Sequence, residues 1–195
     1  MKKNNQVSEN QIIINEYRSL IRLLKDSITK DEKTKIRLAF NTAIKAHENS
    51  RRQSGQPYIT HPISVAKITA TEIGLGATSI ICSLLHDVVE DTSITIEEID
   101  KLFGKEVSII IRGLTKISDV VEADVSLQAE NFRKMILTIS NDIRVVLIKI
   151  ADRLDNMRTL EYLSDNKQKK IASETLYLYA PLAHRLGLQS IKHKL

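Results

Sequence analysis

The apolar residues of this chain recur with a helical period along most of its length. Near the start, apolar side chains at steps of three and four residues predict an amphipathic first helix, and these are Ile13, Tyr17, Leu20, Ile21, Leu24 and Ile28. Thr29 followed by Glu32 has the form of a capping box, which predicts a second helix continuing to about Asn49. The next stretch, residues 50–60, is polar and contains glycine and proline, so we expect a loop there.

Two further helices are predicted in the first half of the chain. Pro62 suits the first turn of a third helix, which Gly74 and Gly76 close. Residues 78–89 predict a fourth helix, and its interior is so apolar that we expect it to be buried nearly all round.

The second half continues the helical pattern, with one interruption at residues 118–126. That stretch has no helical period, and we expect it to be a mobile loop. The β-branched run Ile143 to Ile150 could be a strand in isolation, but its length and flanks favour a buried helix, which we expect to continue to Leu160. Other helix boundaries follow from capping and turn residues: a start at the Thr95 and Glu98 capping box, a stop at Gly104, a restart near Leu127, caps at Asn141 or Asp142 and at Asp165 or Asn166, and a last helix opened by Pro181.

Composition agrees with an all-α fold. The chain has 195 residues, of which 42% are apolar, but only six glycines, three prolines and 4% aromatic residues. No repeat or linker is visible, so we predict a single domain, residues 1–195, of about ten helices. A lone cysteine, a polar N-terminus and the lack of any apolar stretch long enough for a bilayer predict a cytoplasmic protein without membrane contact.

The formal net charge of +5 predicts affinity for an anionic partner without identifying it. Direct nucleic-acid binding is weakly supported, because the aromatic residues that single-strand binders place between their basic residues are missing. A phosphorylated small molecule fits the charge as well.

The adjacent residues His86 and Asp87 are the most unusual feature of the apolar fourth helix. Each is costly to desolvate without a partner. Adjacent helical side chains diverge by roughly 100°, so the two can fork around one ion while their neighbours hold the core. His61, at the start of the third helix, and Asp152, after an apolar run, are further candidates. Two imidazoles and two carboxylates suit a divalent ion such as Mn²⁺, Fe²⁺ or Zn²⁺. The alternative is that each is an isolated capped or salt-bridged side chain.

Glu90 and Asp91 lie about one turn beyond His86 and Asp87. A carboxylate at that place can take a proton from a water that attacks phosphorus, which makes the pair a candidate for general-base catalysis. The alternative is that Asp91 merely ends the helix.

Two polar groups are candidates for substrate contacts. Asp152 and Asp155 form a stripe with Asn156 and Thr159, which faces either solvent or a site. If Asp152 points at a metal, we expect Asn156 and Thr159 to line the adjoining cavity and hold a sugar or base. Arg51, Arg52 and Ser54 lie in the predicted loop, where they are candidates for binding a phosphate or a purine, although loop arginines are more often solvated.

Taken together, these residues resemble the RelA/SpoT homologues, the bacterial enzymes of the alarmone (p)ppGpp. The resemblance covers nearly the whole chain, and it is to the N-terminal HD-type hydrolase domain of the long members. It rests on five strings: RQSGQPYITHP (residues 52–62), HDVVEDT (residues 86–92), QAENFRKM (residues 128–135), ADRLDNMRT (residues 151–159) and YAPLAHRLG (residues 179–187).

The resemblance implies Mn²⁺-dependent removal of the 3′-diphosphate from ppGpp or pppGpp. By motif position it implies one metal ion bound by His61, His86, Asp87 and Asp152, catalysis by Glu90 and Asp91, and nucleotide binding by Arg52, Ser54, Asn156 and Thr159. It also implies synthetase and ribosome-associated domains in a full-length protein, and so a chain truncated before the synthetase domain. Two positions depart from the family pattern: Gln53 stands where many relatives carry Lys, and Asp155 replaces a frequent His.

Three hypotheses therefore compete: a (p)ppGpp 3′-pyrophosphohydrolase, an HD phosphohydrolase of another nucleotide, and a regulatory domain that binds nucleotide without turnover. The intact His-Asp and Glu-Asp signatures favour an active hydrolase, and the Arg52 loop with the Asn156 and Thr159 stripe argues against another nucleotide, so we predict the first of them.

Overall fold

The structure is a computed structural model that describes residues 2–122 and 142–195, with side chains from residues 9–117 and 142–195. The described residues are helical and contain no strand, apart from one isolated bridge between Arg51 and Pro57, so the all-α prediction is confirmed. None of the described helices has both the length and the apolar character needed to cross a membrane. By their internal contacts, the residues form two compact units, Met1–Thr95 and Ile96–Leu195. The prediction of a single domain stays a prediction.

The first unit consists of five helices. Helix α3 packs on α1 and on α4, and α4 also packs on α2. The bounds are α1 Lys2–Leu23, α2 Lys30–Ala46, α3 Thr60–Thr71, α4 Ala77–Leu85 and α5 Val88–Asp91. The predicted capping box is confirmed at α2, where the Glu32 amide donates to the Thr29 hydroxyl at 3.2 Å and the Thr29 amide donates to the Glu32 carboxylate at 2.7 Å. The loop predicted before α3 is also confirmed.

The prediction of one continuous helix over residues 78–89 is wrong. Helix α4 ends at Leu85, and His86 and Asp87 form a turn before the short helix α5. Nδ1 of His86 lies 2.8 Å from the carbonyl oxygen of Ser83, the oxygen that the amide of Asp87 would bind in a continuous helix. The backbone of Asp87 accordingly departs from α-helical geometry, with φ at −100° and ψ at −5°. The histidine and the aspartate therefore lie at a helix break, and not inside a helix.

In the second unit, α6 packs on α7, α7 on α8, and α8 on a π-helix near the end of the chain. The bounds are α6 Ile96–Phe103, α7 Lys105–Glu122, α8 Ile143–Arg158, a 3₁₀ turn Leu160–Tyr162, α9 Asp165–Glu174, the π-helix Thr175–Tyr179, α10 Ala180–Arg185 and α11 Gln189–Lys192. The β-branched run is a buried helix as predicted, and Asp142 caps it by accepting a hydrogen bond from the amide of Arg144. The stop at Gly104 is confirmed too, with a φ of 90°.

Helix α7 is longer than the sequence pattern predicts. It continues to Glu122, so the loop predicted to begin at Ser118 is wrong as far as residue 122. A helix that already has several turns adds residues at little cost, and the polar sequence alone does not stop it. The rest of that loop, the helix predicted near Leu127 and the string at residues 128–135 lie outside the described residues.

Candidate metal centre and active site

Two histidines of the first unit face each other at the centre of the candidate site. His61 lies in the first turn of α3 and His86 in the turn after α4, and packing of these two helices brings the ring centroids to 5.1 Å. Both are buried, with 4% of His61 and none of His86 exposed to solvent. The site therefore arises from the α3 and α4 contact and the helix break.

The carboxylate of Asp87 completes a group of three donor side chains. Its Oδ2 atom lies 3.0 Å from Nε2 of His86 and 3.8 Å from Nε2 of His61. A carbonyl oxygen can only accept a hydrogen bond, so Nδ1 of His86 must be the nitrogen that donates to Ser83. In a neutral ring this leaves a lone pair on Nε2, the form in which imidazole binds a metal.

This arrangement fits a divalent cation. With a neutral imidazole, the lone pair of His86 Nε2 and the carboxylate of Asp87 face each other at 3.0 Å, which is unfavourable unless a positive charge lies beside them. Two imidazole nitrogens and a carboxylate oxygen are ligands that Mn²⁺, Fe²⁺ and Zn²⁺ all accept.

Tyr58 fixes the orientation of Asp87. Its hydroxyl donates a hydrogen bond of 2.5 Å to Oδ2 of Asp87, while its ring lies 4.6 Å from that of His47 and 5.9 Å, edge-on, from that of His61. Tyr58 was not predicted as a site residue. The feature of the sequence that could have identified Tyr58 was its position in the loop, three residues before the candidate ligand His61.

His47 is the second residue that the sequence analysis missed. It is the C-cap of α2 and is buried, and its Nε2 has no hydrogen-bond partner among the described residues. Burial lowers its pKa, although the nearby carboxylates of Asp87 and Asp91 act in the opposite direction. Its position on the apolar face of a helix gave no indication in the sequence that it would lie near the carboxylates of Asp87 and Asp91.

The acidic pair Glu90 and Asp91 lies in α5, and both residues are exposed. The amide of Asp91 donates to the carbonyl oxygen of Asp87 at 2.9 Å, so the pair is within one turn of the aspartate that faces the histidines. Partial desolvation, and then the charge of Asp87, raise the pKa of Asp91, whereas the nearby His47 and Tyr58 side chains limit that rise. The predicted acidic pair is thus placed near the donor group.

The loop that carries Arg52 and Ser54 has a defined backbone. The amide of Arg52 donates to the carbonyl oxygen of Gln56 and the amide of Gly55 donates to that of Arg52, both at 2.9 Å. Gly55 has a φ of 83°, which explains a glycine at this turn. Arg52 and Ser54 are half-buried, and the exposed Gln53 lies between them. This loop leads directly to Tyr58 and His61.

The remaining predicted site residues lie on α8 or, for Thr159, at its C-cap in the second unit. Asp152 is half-buried, and its two carboxylate oxygens face different donors: Nδ2 of Asn156 at 2.8 Å and the ammonium of Lys149 at 3.7 Å. The hydroxyl of Thr159 donates to the carbonyl oxygen of Asp155 at 3.1 Å. Lys149 is buried and was not predicted, although a lysine inside an apolar run was a visible signal.

Helix α8 is held in place by a buried arginine next to Asp152. The guanidinium of Arg153 lies 2.7 Å from the carboxylate of Glu174 in α9 and 4.3 Å from the centroid of the Tyr179 ring. A buried guanidinium that has both an ion pair and an aromatic face fixes a helix in rotation. The direction in which the polar side chains of α8 point therefore depends on the contacts of Arg153.

A protein-family model matches most of the chain. The HD domain family model matches residues 39–189, so the chain belongs to the HD domain family. An HD domain is a metal-dependent hydrolase fold, in agreement with the histidine nitrogens of His61 and His86, which lie within 4.8 Å of one another.

The relatives named next are long RelA/SpoT-type enzymes. The chain is 47% identical over 180 residues to the bifunctional (p)ppGpp synthase/hydrolase SpoT of Escherichia coli K12. This alignment covers 92% of the chain and 26% of SpoT. It is 48% identical over 160 residues to the guanosine-3′,5′-bis(diphosphate) 3′-pyrophosphohydrolase of Aquifex aeolicus, covering 82% of this chain and 23% of that protein. A GTP pyrophosphokinase of Myxococcus xanthus is 50% identical over 165 residues, covering 82% and 22%. The chain thus spans about a quarter of these relatives, and the predicted relationship is confirmed.

A solved structure shares the fold. It is that of a metazoan ortholog of SpoT that hydrolyses ppGpp and plays a role in starvation responses. The TM-score is 0.56 at 28% sequence identity, and the match covers 79% of this chain and 96% of that one.

Proposed function

We propose that this chain is a guanosine-3′,5′-bis(diphosphate) 3′-pyrophosphohydrolase, which converts ppGpp or pppGpp to GDP or GTP and pyrophosphate and so lowers the alarmone level in the stringent response. One observation carries the proposal: the donor atoms of His61, His86 and Asp87 converge directly beside the acidic pair. The names of the relatives and of the metazoan structure support the choice of substrate.

The proposed cofactor is one Mn²⁺ ion. His61, His86 and Asp87 would hold it, and the family resemblance adds Asp152. When bound, such an ion supplies Lewis-acid activation of water and of phosphoryl oxygens.

Glu90 and Asp91 have the proposed catalytic roles. A carboxylate of this pair takes a proton from the water that attacks the phosphorus next to the ribose, and the 3′-oxygen of the ribose leaves and is protonated. Tyr58 holds Asp87 in place during this reaction through its short hydrogen bond.

Four residues are proposed to bind the nucleotide. Arg52 supplies positive charge for a phosphate group and Ser54 a hydroxyl, both from the ordered loop before α3. Asn156 and Thr159 supply an amide and a hydroxyl for the sugar or base. The hydrogen bond from Asn156 to Asp152 connects a nucleotide-binding position with a metal-binding one.

The proposal extends to location and partners. We expect a cytoplasmic enzyme of free nucleotides, with neither membrane nor nucleic acid bound by this domain. Since the chain spans only about a quarter of its relatives, we expect synthetase and ribosome-associated domains in a full-length protein.

Measurement of pyrophosphate release from ppGpp, together with Mn²⁺ content, tests the proposal. We expect the chain to bind Mn²⁺ and release pyrophosphate, and we expect His86→Ala to lose both properties. His193→Ala is the matched control, since His193 is exposed at the end of the chain and should retain both. Wild-type protein that retains Mn²⁺ but releases no pyrophosphate would contradict the proposal. A panel of other nucleotides separates a (p)ppGpp enzyme from a less selective phosphohydrolase.

A further inference from the structure

A concave site lies between α1 and α2, and none of its lining residues belongs to the candidate metal centre. It is an open cavity of about 1010 Å³, and five of the side chains that line it are cationic: Arg18, Arg22, Lys30, Lys33 and Arg37. No aspartate or glutamate is among the lining residues that the structure describes. We call this site the basic cavity.

The spacing of these cations places them on two helix faces. Arg18 and Arg22 are one turn apart on α1, and Lys30, Lys33 and Arg37 follow one another at steps of three and four on α2. Like charges at such spacing destabilise a helix, by a few tenths of a kcal/mol per pair in isolated helices. The two stripes line one cavity, so their charges add at a single place.

Three of the four acidic residues on these helices are engaged elsewhere, and the fourth, Asp31, is exposed at the start of α2. On α1, Glu9 pairs with Arg51 at 2.9 Å and Glu16 with Lys67 of α3 at 2.6 Å. On α2, the carboxylate of Glu32 caps the helix through Thr29. Within the described residues, none of the five cavity cations forms a salt bridge. The charge that lines the cavity is therefore positive, with no carboxylate among the described lining residues to compensate it.

The wall of the cavity is apolar and aromatic. Tyr17 of α1 and Phe40 of α2 stack with their ring centroids 4.1 Å apart, and Ile14 and Ile21 also line the space. This stack joins the two helices beside the cationic stripes. The volume is at the upper end of the range of about 300–1,000 Å³ found for small-molecule sites. The cavity thus combines a small-molecule size with a strongly cationic lining.

We propose that the basic cavity binds a small molecule that carries a chain of phosphate groups. A single carboxylate would leave most of the five positive charges uncompensated, whereas a triphosphate chain carries several negative charges close together. Arginine binds phosphate oxygens through two parallel hydrogen bonds, and lysine adds point charges. The free phosphate chain and a nucleoside triphosphate share this chemistry, and the apolar wall favours the nucleoside triphosphate.

Calorimetry with the whole chain, without divalent metal and with EDTA present, tests the proposal. The probes are inorganic tripolyphosphate, ATP and GTP. We expect binding that weakens as salt is raised, and we expect it to weaken at least about tenfold in the double variant Arg22→Gln/Arg37→Gln, which loses two charge-assisted contacts. The double variant Lys167→Gln/Lys169→Gln, in exposed positions of α9, removes the same charge and should bind like the wild type.

Thermal unfolding supplies an independent measurement. Because neutralisation relieves like-charge repulsion, Arg22→Gln/Arg37→Gln should unfold at the same or a higher temperature than the wild type without ligand, and it should gain less from tripolyphosphate. A folded variant also excludes loss of structure as the cause of weak binding. Tighter binding of the nucleotides than of tripolyphosphate would support a contribution from the apolar wall.

Three results would overturn the proposal. The first is no binding of any probe, and the second is equal weakening by the α9 control variant. The third is a preference for a polyglutamate peptide or for vesicles of anionic lipid over all three phosphate probes, since this would make the basic cavity a docking surface for another class of partner.

Discussion

The hydroxyl of Tyr58 donates a hydrogen bond of 2.5 Å to Oδ2 of Asp87, the same oxygen that lies 3.0 Å from Nε2 of His86. One carboxylate oxygen is therefore shared between a loop tyrosine and a candidate metal ligand. Groups that orient metal ligands in this way commonly change metal affinity by about 10- to 100-fold when they are removed.

Tyr58→Phe tests the importance of this hydrogen bond. We expect Mn²⁺ affinity to fall by about tenfold, because Asp87 loses the donor that fixes its orientation. The fold should persist, since the phenylalanine ring can keep the contacts of Tyr58 with His47 and His61. Calorimetric titration with Mn²⁺ measures the change, with Tyr162→Phe at an exposed position as the control. An unchanged affinity would remove Tyr58 from the site.

Glu90→Gln and Asp91→Asn separate proton transfer from metal binding. Each amide keeps the size of the side chain but cannot act as a base, so we expect kcat for ppGpp hydrolysis to fall by about 100-fold or more in at least one of the two variants. Mn²⁺ content should stay near that of the wild type. Glu97→Gln, an exposed acidic residue at the start of α6, is the matched control. Loss of Mn²⁺ in parallel with activity would show that the pair binds metal instead.

Sequence periodicity and capping residues predicted most of the described helices. Thr29 with Glu32 and Asp142 were identifiable because an N-cap depends on residues two or three positions away. The helix break at His86 was not identifiable, since the apolar pattern continues through it. The break accompanies a hydrogen bond from the ring nitrogen of His86 to the Ser83 carbonyl oxygen. A local hydrophobic pattern cannot show such a side-chain contact.

The same distinction holds for the candidate site. The structure brings the predicted donors His61, His86 and Asp87 together. They could be predicted because each is a polar residue in an apolar stretch of the sequence. Tyr58 and His47 were missed, since their roles depend on contacts across the fold; Tyr58 is 29 positions from Asp87.

Gly113 of α7 lies against Val145 of α8, the helix that carries Asp152. A Cβ atom at Gly113 would be only 2.8 Å from Cγ2 of Val145. Alanine normally stabilises a helix relative to glycine by about 1 kcal/mol. Here we expect Gly113→Ala to lower the free energy of unfolding by about 1–3 kcal/mol, because the helices must move apart.

Urea denaturation of a double-mutant cycle tests this prediction. Val145→Ala removes both methyl groups that the new Cβ would meet, so Gly113→Ala should cost much less in the Val145→Ala background than in the wild type. Equal effects in the two backgrounds would mean that the close approach of α7 and α8 does not limit stability.

The N-cap of α8 predicts a specific pH dependence. Hydrogen bonds from the Arg144 guanidinium and amide to the Asp142 carboxylate lower the pKa of Asp142 below its ordinary value of 3.8. The folded state therefore binds this proton less readily than the unfolded state. The resulting stability is fully present above the unfolded-state pKa, and it is lost as the pH falls below about 4 through the folded-state pKa.

Two variants separate the cap from the charge. Asp142→Ala removes both and should cost about 1 kcal/mol of unfolding free energy near neutral pH, whereas Asp142→Asn keeps a good N-cap and loses only the charge. The difference between the wild type and Asp142→Asn should stay level above about pH 5 and shrink as the pH falls below about 4, because the unfolded state then takes up the proton more readily than the folded state. Urea denaturation at several pH values measures it. A difference that stays constant with pH would mean that the Arg144 contacts do not favour the ionised form of Asp142.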